Sequence, residues 1–241
     1  MKKFLLFIVE GKNDEREINA ILHTPSIAQK IEEYVVVFLP HNGDITTETK
    51  TTPDNIRGRL DKMVSDWRRN DNTLYRSIKT SEIQEIIHIL DVDGVFISKE
   101  NILDDKNAFK PRYVDNGILT NKRSDIIGRN LKKAAILQKL SQIETIDNIP
   151  YSAYYFSCNM DHLLTGERNP AQNVKDSFSR EFCRLCRDNP ECLNKTVFSE
   201  EFGSIYDYPL SWQFIQKGLN SLNRQTNFNL LFTDNAKHTI P

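Results

Sequence analysis

Cysteine is scarce in this sequence, with four residues in 241, at positions 158, 183, 186 and 192. That excludes a disulfide-held miniprotein and points to reduced thiols. Long hydrophobic runs are missing as well. The longest candidate, Phe4 to Val9, stops after six residues at Glu10, far short of the ~20 a membrane helix needs. Two lysines precede it, but no small-residue cleavage site follows, so it does not read as a secretory leader. The expectation is a cytoplasmic protein that does not engage a membrane. Excess charge of one sign is also absent: 32 Lys and Arg stand against 33 Asp and Glu, a net charge of −1, which excludes a general polycation coating nucleic acid while leaving room for local basic surface. Internal repeats and low-complexity tracts are not found. What is present, 39% hydrophobic and 27% charged residues, describes an ordinary globular chain whose folding buries roughly 70–75% of its unfolded surface, enough for one core with an appended subdomain.

The first half alternates strand-like and helix-like segments. Phe4 to Val9 is a continuous apolar run of strand length, as in a buried parallel strand. Asn13 or Asp14 can cap a helix through about His23, with Ile18, Ile21 and Leu22 on one face. Tyr34 to Leu39 reads as a second strand closed by the turn Pro40-His41-Asn42-Gly43. A helix from about Asp54 to Arg69 carries Ile56, Leu60, Met63 and Trp67, and Ile86 to Leu90 forms a third strand. Ser98 to Asp125 shows no sustained period, so it is read as an insertion or functional loop. Helical spacing returns over Ile126 to Ile143, and Tyr151 to Ser157 is a fourth strand. The order predicts an α/β fold, a parallel sheet flanked by helices. Residues 1–165 are expected to form the catalytic domain, with the insertion at 98–125. Residues 166–241 should form a mainly helical extension packed on the same domain, ending in a helix plus a strand.

In open α/β sheets the working site lies beyond the carboxyl ends of the strands. Glu10 follows the first strand, Asp91 and Asp93 follow the third, and Asp161 follows the fourth. Side chains two apart on an extended strand point the same way, so Asp91 and Asp93 would form an oxygen-rich pair. Mg²⁺ suits such a pair, since it binds through one or two carboxylates and completes its shell with water and phosphate oxygens. Glycines 11 and 94 would let a phosphate approach the backbone. The plain alternative is that Asp-x-Asp-Gly is only a turn.

The strand ending in Glu10-Gly11-Lys12-Asn13-Asp14, the glycine turn after Val35 to Leu39, and Asp91-Val92-Asp93 together resemble a Toprim domain. This is the catalytic module of bacterial primases, type IA and type II topoisomerases, the 5S ribosomal RNA maturase and OLD-type nucleases. The resemblance spans about Lys3 to Asp161. The remainder is similar to small stand-alone Toprim-like proteins of phage-defence and mobile-element loci. It implies a Rossmann-like sheet and a Mg²⁺-dependent (or Mn²⁺-dependent) nuclease acting on DNA or RNA. Asp91 and Asp93 would hold the metal, Glu10 would act as acid, base or further ligand, and Asp161 would complete the shell. Lys12 would meet a phosphate, and His41 or His162 would move a proton. Ile-Leu-Asp-Val-Asp-Gly also resembles the first motif of HAD-type phosphatases, with Asp91 as nucleophile, although that motif normally opens its domain. A third reading is a regulatory or binding module that depends on a partner such as an ATPase.

Holding a polyanion needs basic surface. Arg129, Lys132 and Lys133 lie on the helix before the fourth strand, and Arg180, Arg184 and Arg187 repeat at i, i+4, i+7, with Phe178, Phe182 and Leu185 on roughly the opposite face. Both groups are candidates for nucleic-acid binding, against the alternative of solvated helix faces. Cys183, Cys186 and Cys192, with Cys158 or His162, could supply zinc ligands, but cysteines inside an amphipathic helix also serve as small apolar residues.

Overall fold

The computed structural model describes residues 3–40, 43–69 and 77–238, so His41 lies outside the described residues. In chain order the elements are β1 (Lys3–Ile8), α1 (Lys12–Leu22), α2 (Pro25–Ala28), β2 (Tyr34–Phe38), α3 (Ile56–Arg69), β3 (Ile83–Asp91), β4 (Ile102–Asp104), β5 (Arg112–Val114), β6 (Gly117–Thr120), α4 (Arg123–Gln142), β7 (Thr145–Ile146), β8 (Ile149–Phe156), α5 (Met160–Thr165), α6 (Gln172–Asp188) and α7 (Tyr208–Ile215). The fold is α/β, with a Rossmann-like sheet of order β2-β1-β3-β8-β7. The first four of these strands run parallel, and β7 returns antiparallel on β8.

The central strands read as unbroken apolar runs because helices cover both faces of the sheet. Leu5, Leu6, Phe7, Ile86 and Ile87 are all buried. The helices answer with one apolar stripe each: Ile18, Ile21 and Leu22 on α1, Ile56, Leu60, Val64 and Trp67 on α3, and Ile136, Leu137 and Leu140 on α4. Phe182, Tyr208, Trp212, Phe228 and Phe232 of the extension join that same core.

Two segments depart from the expectation. The insertion is not a loop: β4, β6 and β5 form a separate three-stranded sheet over a small cluster of Ile97, Ile102, Ile118, Ile126 and Leu222. Its strands are three or four residues long, too short to display a period. Gly117 is required there, since a Cβ would lie 1.9 Å from the carbonyl oxygen of Asn101. At the chain end α7 is followed by 3-10 turns at Asn220–Leu222 and Phe228–Phe232 rather than by a strand.

The reason is visible along the outer edge of β8, where other groups take the place of a neighbouring strand. Tyr151 N–H donates to the Glu144 carbonyl, and Ser157 N–H to the Gln225 carbonyl. Between them, Ala153 N–H donates to the Tyr208 hydroxyl, while the Ala153 carbonyl accepts from Tyr208 and from the Trp212 indole. Tyr155 N–H donates to Asn227 Oδ1, and the Tyr155 carbonyl accepts from the Thr226 hydroxyl.

Candidate functional site

Chain order reverses between β1 and β3: β2 lies on one side of β1, and the chain then crosses to place β3 on the other. Such a switch point opens a crevice at the carboxyl ends of the two strands. Glu10 and Asp91 flank it. The Asp91 amide donates to Glu10 Oε1 at 3.4 Å, and Asp91 Oδ1 accepts from Met160 N–H at 3.0 Å, tying it to the first turn of α5. Glu10 Oε2 and Asp91 Oδ2 have no hydrogen-bond partner among the described residues. Burial pushes both carboxyls well above the usual range. Glu10 adds to the effect on Asp91, whereas Lys133 opposes it on both.

Asp93 does not continue the extended alternation that would align it with Asp91. Its φ is 54°, in the left-handed region, and its N–H donates at 2.7 Å to the carbonyl of Cys158, itself left-handed with φ 57°. Gly94 follows with φ 65°, and a Cβ there would come within 2.5 Å of Leu222 Cδ2. The turn delivers Asp93 to a different set of partners. Oδ2 accepts from Lys133 Nζ at 2.6 Å and Oδ1 from the Tyr113 hydroxyl at 2.9 Å. Arg129 donates to the Asp93 carbonyl at 3.2 Å and to Tyr113 at 3.4 Å. Lys133 also donates to Asp44 Oδ2 at 2.8 Å. Although burial opposes it, the carboxylates of Asp93, Glu10 and Asp44 hold the Lys133 ammonium well above its usual pKa. Against the same opposition, Lys133 and Thr46 hold Asp44 below the carboxylate range.

The basic residues of α4 are therefore not the solvent-facing phosphate surface expected from the sequence. Lys133 is 0% exposed, Arg129 turns onto Asp93 and Tyr113, and Lys132 Nζ donates to the Glu48 carbonyl at 2.6 Å. The cause is electrostatic: Arg129 and Lys133, one turn apart, face the carboxyl edge of the sheet, where uncompensated acids draw them in. On α6, Arg180, Arg184 and Arg187 are exposed as a stripe. The helix packs on α1, and its buried residues are Ser179, Phe182 and Cys186, whereas Leu185 is exposed. Lys12 is exposed at the start of α1.

Asp161 is paired with Lys175 of α6 at 2.8 Å rather than turned to Asp91. His162 is buried, and burial, with Arg168 and Arg224 nearby, lowers it to about 4, so it is neutral at pH 7. The cysteines divide: Cys186 and Cys192 approach at 3.8 Å, Cys183 contacts the Arg16 carbonyl, and Cys158 lies at the end of β8. Among the described residues, no group of three or more His, Cys, Asp or Glu is arranged to hold a metal ion. No helix among them is long and apolar enough to cross a membrane.

Three site residues escaped the sequence reading. Asp44 comes directly after the glycine turn that follows β2 (Tyr34–Phe38), a stretch read from the sequence as turn chemistry alone. Tyr113 arrives from the insertion, and no pattern announces it. His88, on β3, lines a cavity of about 10 Å³ together with Glu10, Asp44 and Met63, and its Nδ1 is 2.8 Å from the Tyr151 hydroxyl. No family model, curated protein or solved structure matches the chain.

Proposed function

We propose that the chain is a Toprim-like, Mg²⁺-dependent nuclease that hydrolyses phosphodiester bonds of DNA or RNA. The observation that carries this reading is the convergence of Glu10 and Asp91 on the β1/β3 switch point, each with one carboxylate oxygen that has no hydrogen-bond partner among the described residues. The donor set suits a hard cation. Glu10, Asp14, Asp44, Asp91, Asp93 and Asp161 share this region with three cations, Lys133, Arg129 and Lys175, leaving an excess of acidic groups. Two carboxylates are a normal protein contribution to Mg²⁺, so a cage of three or more is not needed. When bound, the metal would neutralise phosphate oxygens and lower the pKa of a coordinated water.

The chain's own residues have distinct parts. Asp91, fixed by the Met160 amide, and Glu10, fixed by the Asp91 amide, hold and orient. Glu10 Oε2 and Asp91 Oδ2 are the oxygens that would hold the cation. Exposed Lys12 offers positive charge to a phosphate beside a first turn of α1 that also carries Asp14 and Glu15, and the Arg180, Arg184 and Arg187 stripe offers a track for a longer polyanion.

The test is cleavage of single- and double-stranded DNA and of transfer RNA by the purified chain with Mg²⁺ or Mn²⁺, beside Glu10→Gln and Asp91→Asn. Metal-dependent cutting lost in both folded variants supports the reading. Absence of cutting by the wild type removes a stand-alone nuclease and leaves a partner-dependent module. Phosphorylation of Asp91 by a small phosphate ester would instead support the phosphatase alternative.

A further inference from the structure

We propose that the candidate site takes one divalent cation, at Glu10 and Asp91, and that the Lys133 ammonium stands where a second would sit, withholding Asp44 and Asp93 from metal. This rests on the metal-dependent reading above and deepens it: Lys133 becomes a positioning residue, and the Asp-x-Asp pair is divided between two jobs.

Four features carry it. First, the Lys133 ammonium reaches Asp93 Oδ2 at 2.6 Å and Asp44 Oδ2 at 2.8 Å, bridging two strand ends as a bound ion would. Second, the other oxygens of the two acids are also engaged, Asp93 Oδ1 by the Tyr113 hydroxyl at 2.9 Å and Asp44 Oδ1 by the Thr46 amide at 2.8 Å. Third, past the left-handed turn at Asp93, φ 54°, its carboxylate has a different set of partners from that of Asp91, which meets the Met160 amide. Fourth, Lys133 is fully buried on a 20-residue helix. A buried ammonium cannot leave its counter-ions without stranding charge in a medium that solvates it poorly, so the bridge persists whether or not metal is present. A divalent ion brought to Asp93 would meet that fixed positive charge in direct contact and be repelled, whereas, among the described residues, Glu10 and Asp91 feel the same ammonium only through space, with no ion pair to it.

The experiment is titration of the full-length apo chain with Mn²⁺, with the free ion followed by electron paramagnetic resonance. Wild type is expected to bind one Mn²⁺. Glu10→Gln and Asp91→Asn should weaken that binding by about tenfold or more, whereas Asp44→Asn and Asp93→Asn should each still bind one. Lys133→Met, which leaves both aspartates without their cation, should bind two, and Lys133→Arg should restore one. Two ions on the wild type, loss of the ion in Asp93→Asn, or a folded Lys133→Met that still binds one would each overturn the inference. If Lys133→Met does not fold, Asp93→Asn decides. A wild type that binds no Mn²⁺ brings down the metal reading itself, an outcome distinct from one ion that needs Asp93.

Discussion

Two regions of this molecule bury polar groups in opposite ways. At the carboxyl ends of β1 and β3, acids and bases are packed together: Lys133 lies between Asp44 and Asp93, and Arg129 beside Tyr113. Around β8 and α7 the buried polar groups are nearly all neutral, and Tyr208, Trp212, Thr226 and Asn227 satisfy the backbone one hydrogen bond at a time. The exception there is Glu85, buried on β3 with the Ser152 hydroxyl donating to it. Burial pushes its carboxyl up to about 8, with Ser152 and Lys237 only partly opposing. A buried acid has two ways to avoid an unanswered charge, a cation or a proton. Asp93 and Asp44 have the first, and Glu85 takes the second.

The contrast breaks most sharply at Lys133. Lys133→Met should lower the unfolding free energy by about 3–5 kcal/mol, because it leaves buried carboxylates unpaired. The double variant Asp93→Asn/Lys133→Met should be less destabilised than the single, and paired urea melts check this. Glu85→Gln tests the other strategy. The folded state holds a proton on Glu85 that the unfolded chain releases near pH 4.5, so its contribution is complete below that pH and is lost as pH rises through about 8. Relative to wild type, the variant should be close to neutral at pH 4 and more stable by about 5 kcal/mol at pH 9. Calorimetry at both pH values would show it, and a gain at pH 4 instead would reverse the sign. Gly94→Ala sharpens the geometry: with φ 65° and Leu222 in the way, it should cost about 1–2 kcal/mol. Smallest is the triple change Arg180→Gln/Arg184→Gln/Arg187→Gln, expected to stay within about 0.5 kcal/mol in stability. If the stripe tracks a polyanion, the same variant should flatten the salt dependence of DNA or RNA binding by about one phosphate per arginine.

The elements whose burial is continuous or helically periodic were legible in the sequence. Phe4 to Val9 announced β1, Ile18, Ile21 and Leu22 announced α1, and Tyr151 to Ser157 announced β8. Strand ends then located Glu10 and Asp91 by topology alone. What sequence could not supply was the direction of side chains after the strands stopped. Asp93 looked aligned with Asp91, but past the left-handed turn it meets a different set of partners. Lys133 looked like surface because lysine usually is, and only the acids arriving from β2 and β3 turn it inward. Tyr113 depends on an insertion whose strands are too short to carry a period. On α6, Phe178 and Leu185 shared a helical face by spacing, but the residues the helix buries are Ser179, Phe182 and Cys186.

The clothing of β8 by Tyr208, Trp212, Thr226 and Asn227 has a consequence for self-association. A bare strand edge is a template on which a strand from another molecule can pair, and through which chains polymerise. Here the outward amides and carbonyls of Ala153 and Tyr155 are taken within the same chain. The extension thus keeps one margin of the sheet from recruiting neighbours. A chain cut before Tyr208 would bare that margin, and its characteristic failure would be intermolecular β-pairing rather than simple unfolding.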